Sequence, residues 1–132
     1  MRDWSLEQWQ AWAAEFDRAR GWDATEASQV VAHLAEELGE VAREVLRLEG
    51  YKGGSPETRQ ALAGEVADLM MMVLKLSALT GLDLGLAVAA KGAELEGRFT
   101  VDRSREETRR FLEARIAAAE ARLRALDAGH PG

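Results

Sequence analysis

Apolar residues recur along most of this chain with the period of a helix. Trp9, Trp12 and Phe16 fall at i, i+3 and i+7, and Val30, Leu34, Leu38, Val41, Val45 and Leu48 carry a second stripe. Leu62, Val66, Leu69, Val73 and Leu76 follow 4-3-4-3 steps, a seam suited to bundle packing. Leu112, Ile116, Ala119, Leu123 and Leu126 form a heptad-like stripe near the C-terminal end. No strand alternation of any length interrupts these runs, and no internal repeat is clear. The pattern predicts an all-α protein.

Capping residues divide the stripes into helices. Ser5 and Gln8 form an S-x-x-Q capping box before the first stripe, and Gly21 closes that helix. Asp23-Ala24-Thr25-Glu26 is a second start signal, with Gly50 as the stop. Ser55 followed by Pro56 reads as N-cap and first helical position of a third helix, which runs to about Thr80 and is capped by Gly81. Asp83 opens a fourth helix, and Ser104-Arg105-Glu106-Glu107 is a capping box for a fifth. The loop from Gly50 to Ser55 holds Lys52 among glycines but matches no phosphate-binding loop, and reads as a flexible turn.

With 132 residues, one domain spanning 1–132 is expected. A composition of 47% hydrophobic and 30% charged residues, with two prolines, suits a globular helical chain. The formal net charge of −6 argues against nucleic-acid or anionic-membrane partners. Absence of cysteine excludes disulfides and thiolate metal sites and fits a cytoplasmic setting. The start of the chain lacks the apolar core of a signal peptide. The apolar stretch from Leu69 to Ala90 is cut by Lys75, Gly81 and Asp83, so no membrane span is expected.

Two acid clusters break the apolar logic. Glu36, Glu37 and Glu40 share one wedge beside the second helix's stripe, at about 100° per residue, and Glu65 and Asp68 flank the third seam. Like charges on neighbouring turns cost about 0.2–0.5 kcal/mol even in water, so a cation is expected among them. Carboxylates with almost no histidine form a hard-oxygen set, which selects Mg²⁺ or Mn²⁺ over zinc. Magnesium commonly completes its shell with substrate phosphate, so a phosphorylated substrate follows. His33 lies on the same stripe, but the i+3 partners Glu40 and Asp68 are not the Glu-x-x-His pairs of a di-iron bundle, and His33 reads as a packed or hydrogen-bonded histidine. The tryptophan stripe reads as packing, with Trp22 the freer ring, and Met70-Met71-Met72 as gap-filling core. Gly39, inside the second helix, points to close packing or room for a ligand.

Glu36-Glu37-x-x-Glu40 followed, after residues 41–64, by Glu65-x-x-Asp68 resembles the signature of the MazG-type, all-α nucleoside triphosphate pyrophosphohydrolases. The likeness covers roughly Asp23 to Phe99. It implies a four-helix-bundle-like core of about 23–99, with the helix of about 104–127 as an addition. It also implies Glu37, Glu40, Glu65 and Asp68 as metal ligands, and Glu36 as a further ligand or the group that orients the attacking water. Lys91 and Arg98, seven residues apart on one helix face, match two of the family's three phosphate and sugar contacts, and Leu95 stands where the family has asparagine. The products implied are nucleoside monophosphate and pyrophosphate, and the state implied is a homodimer or homotetramer. Two other readings remain from the sequence: a phosphoribosyl-ATP pyrophosphohydrolase, and a non-catalytic helical module whose acids are solvated faces.

Overall fold

A computed structural model of the chain describes residues 3–51, 53, 55 and 57–129. The described residues form five α-helices and no strand: α1 (Leu6–Arg18), α2 (Ala27–Leu48), α3 (Thr58–Thr80), α4 (Leu84–Arg98) and α5 (Val101–Ala128). The protein is all-α, as its periodicity predicts. The chain divides into two compact units, Met1–Val88 and Ala89–Gly132.

In the first unit α2 packs along α3, and α1 lies against α3. Ser5 caps α1 as expected: its Oγ accepts the Gln8 N–H, and its own N–H donates to Gln8 Oε1 at 2.8 Å. The second start signal is displaced. Gly21 adopts a left-handed φ of 70°, Trp22–Ala24 form a single 3₁₀ turn, and Thr25 is extended, so α2 cannot begin at Asp23. Glu26 precedes the helix instead, its N–H donating to Gln29 Oε1 at 3.2 Å.

The start of α3 also lies later than the spacing predicts. Thr58 opens it, and Thr58 Oγ1 accepts the Ser55 N–H at 2.9 Å. Pro56, expected at the first helical position, lies outside the described residues, as does Lys52. The end is as read: Gly81 at φ 68° closes α3 after Thr80. Asp83 Oδ1 then accepts the Leu86 N–H at 2.9 Å and caps α4.

Ala13, Val30 and Leu74 are the most deeply buried apolar side chains. The rings of the α1 stripe and its neighbours pack on one another: Trp4 on Trp9 at 4.8 Å between centroids, Trp9 on Trp12 at 5.6 Å and Phe16 on Trp22 at 5.9 Å meet edge to face, and Trp12 meets Phe16 at 4.9 Å with the rings tilted by 38°. Beside it Lys75 of α3, which the sequence shows only as a break in an apolar run, bonds Asp17 of α1 at 3.2 Å and the Trp22 carbonyl at 3.2 Å. Packing is the stripe's use here.

The second unit holds the rest of α4 and α5. Thr100, extended at ψ 145°, precedes α5, so the helix starts a turn before Ser104, whose N–H already donates to the Thr100 carbonyl at 3.0 Å. Glu106 pairs with Arg110 at 3.0 Å, and Glu107 with Arg103 at 2.8 Å. Phe111, Leu112, Ile116, Leu123 and Leu126 are exposed along α5. Among the described residues no single helix is long and apolar enough to cross a membrane.

Candidate metal centre

The close pairing of α2 and α3 positions the acids. On α2, Glu37, Glu40 and Glu44 recur at i, i+3 and i+7, so they rise along one side of the helix. On α3, Glu65 and Asp68 stand on adjacent turns. Glu37, Glu65 and Asp68 each offer one carboxylate oxygen, and these atoms all lie within 4.8 Å of one another. Glu37 and Glu65 are partly buried, and Asp68 is exposed.

Three such charges repel strongly. Each pair at that distance costs about 1 kcal/mol in water and about 3–4 kcal/mol at a dielectric constant of about 20. A divalent cation at their centre reverses the sign, and a donor set made only of carboxylate oxygens suits a hard ion such as Mg²⁺ or Mn²⁺. The residues fit the group.

The two remaining acids of the first cluster face other partners. Glu40 Oε2 lies 2.5 Å from Arg43 Nη2, and the same guanidinium nitrogen reaches to 4.0 Å from Glu65 Oε1. Arg43 Nε donates to Glu44 Oε1 at 3.1 Å, and Arg47 Nη1 donates to the same oxygen at 3.1 Å. These acids, first the hydrogen-bonded Glu44 and then Glu40, hold the Arg43 guanidinium above its ordinary pKa, so it stays charged. Glu36 is exposed, with Oε2 3.0 Å from His33 Nδ1.

The structure therefore joins Glu37 to Glu65 and Asp68, with Glu40 one turn away on an arginine and Glu36 exposed beside His33. His33 is hydrogen-bonded, as read, with Glu36 as its partner. Gly39 is not closely packed: a Cβ there meets nothing within 4 Å. Of its two readings, open room is the one that stands.

Glu44 and Arg43 escaped the sequence reading. Glu44 is 2% exposed, and its Oε2 has no hydrogen-bond partner among the described residues. Its position seven residues after Glu37 was the available signal, because i and i+7 share a helix face. Arg43, three residues after Glu40, was the corresponding signal for an ion pair.

Lys91 and Arg98 belong to the second unit. Lys91 Nζ lies 2.5 Å from Glu94 Oε2, and the Arg98 guanidinium sits 5.2 Å from the centre of the Phe99 ring. Arg98, Phe99, Arg103, Ser104 and Glu107 line a notch at the turn between α4 and α5.

A family model described as the MazG nucleotide pyrophosphohydrolase domain matches residues 25–99. That segment contains all five acids of the two clusters, together with Lys91 and Arg98. No curated protein matches the chain.

Proposed function

The chain belongs to the MazG nucleotide pyrophosphohydrolase family, and on that premise we propose that it hydrolyses nucleoside triphosphates, ribo or deoxy, to the monophosphate and pyrophosphate. The observation that carries this reading is the convergence of Glu37, Glu65 and Asp68 from two helices within the matched segment. Solvated acid faces need no such meeting.

In this reading Glu37, Glu65 and Asp68 hold the divalent ion, Mg²⁺ with Mn²⁺ as substitute, and Glu40 completes the set. When bound, the ion supplies charge neutralisation for the triphosphate and polarises the phosphoryl group. Glu36 accepts a hydrogen bond from the attacking water and orients it in line with the bond to be broken. The water oxygen bonds to the α-phosphorus, the bond from that phosphorus to the bridging oxygen breaks, and pyrophosphate leaves with that oxygen. The water proton passes to Glu36 and then to solvent. Lys91 and Arg98 balance phosphate charge as it shifts toward the leaving group. The protein works as a homodimer or homotetramer in this reading, with the apolar residues of α5 among the surfaces that pairing would cover.

Pyrophosphate release across a panel of ribo- and deoxyribonucleoside triphosphates, each with Mg²⁺, Mn²⁺ or excess chelator, tests the proposal. Metal-dependent pyrophosphate release from at least one nucleotide is expected. Release of orthophosphate alone, or no release under any condition, would sink it.

A further inference from the structure

A cation of the chain itself, Arg43, sits beside the candidate metal centre. Arg43 Nη2 is 2.5 Å from Glu40 Oε2 and 4.0 Å from Glu65 Oε1, so one guanidinium spans an acid of α2 and an acid of α3. Glu65 is one of the three residues whose oxygens converge. Arg43 is anchored from behind by Nε to Glu44 Oε1, while its side chain keeps 53% of its surface exposed. Its Nε is held by Glu44, and its Nη2 makes the ion pair with Glu40 on a half-exposed side chain.

We propose that Arg43 is an internal counter-ion that competes with the divalent metal for Glu40, so that Glu40 enters the metal's ligand set only when this ion pair opens. The inference rests on the metal-site reading given above and adds a residue outside its ligand set. Glu40 cannot direct the same oxygen at a guanidinium and at a metal ion, and a positive charge near the site opposes a second one in any case. The buried Glu44 gives the displaced guanidinium a place to remain. Its Oε1 already holds Arg43 and Arg47, and its Oε2 is without a partner among the described residues.

The test is Mn²⁺ and Mg²⁺ binding to the full chain without nucleotide, by calorimetry and by Mn²⁺ electron paramagnetic resonance. Wild type, R43M, R43K, E40Q and the double variant E40Q/R43M are compared, with circular dichroism to verify helicity. R43M is expected to bind metal about three- to tenfold more tightly than wild type, the range set by loss of a nearby unit charge and an ion pair. R43K, which keeps the charge but loses the planar fork, falls between them. In the E40Q background the same R43M change has a smaller effect, because the shared carboxylate is gone. Unchanged or weaker binding in R43M, or an equal effect with and without Glu40, overturns the proposal. If R43M loses helicity, R43K against wild type decides: equal affinities overturn it. Failure of the wild-type chain to bind either ion is a different result, and it removes the metal-site reading itself.

Discussion

Glu37 on α2 and Asp68 on α3 bring carboxylate oxygens within 4.8 Å of each other, with Glu65 inside the same limit. At this point the paired helices bring together groups that repel one another unless a cation lies between them. Replacing either charge by its amide keeps the shape and removes the ligand. Glu37→Gln and Asp68→Asn are each expected to lower metal-dependent pyrophosphate release by at least about a hundredfold, the order of loss for removal of one stabilising group at a reaction centre. Far-ultraviolet circular dichroism should be unchanged. Full activity in both variants would remove these residues from the site.

Metal binding to the native state alone raises stability by mass action. At a free Mg²⁺ concentration one hundred times its Kd the gain is about 2.7 kcal/mol. The melting temperature should therefore climb with Mg²⁺ and return with chelator, and Glu37→Gln should abolish the rise. A chain whose acids are only solvated helix faces would show the same melt with and without the ion.

The ion pair of Asp17 and Lys75 makes a separate prediction about the fold. Their side chains are 13% and 12% exposed, and the pair ties α1 to α3. Asp17→Asn or Lys75→Met alone strands a buried partner and should cost about 3 kcal/mol in urea unfolding, near the lower end for breaking a buried pair. Changing both residues together to apolar ones of similar volume should cost much less than twice that. Equal additive losses would mean that the two groups do not act as a pair.

Gly39 lies inside α2, between Glu36 and Glu40, and open space surrounds the place of its missing Cβ. Gly39→Ala should raise stability by about 0.5–1 kcal/mol, the helix-interior difference between the two residues. A loss of stability in thermal or urea melts would show that the position is strained or closely packed after all.

Much of this was legible from periodicity and punctuation. The capping pair of Ser5 and Gln8, the left-handed Gly81 and the cap at Asp83 are local interactions, so a few neighbouring residues determine them. Starts governed by their surroundings were misplaced. Asp23 carried a good capping signal, but Gly21 turned the chain first, and Ser104 had a capping box inside a helix that Thr100 had already opened. The acids of the site were legible because carboxylates beside apolar seams are conspicuous. Their sorting was not: that Glu40 faces Arg43 while Glu37 faces α3 depends on where a long flexible side chain settles, which spacing does not encode. Lys75 was hidden for a related reason, because its partner lies on another helix.

The apolar residues left open on the helices carry one more consequence. Leu38 and Val66, both read as seam positions, are 57% and 47% exposed, and Ile116 of α5 is 59% exposed. If these surfaces meet copies of the same chain, folding and association become one equilibrium, and the melting temperature rises with protein concentration. Dilution would then act on this protein as a denaturant does.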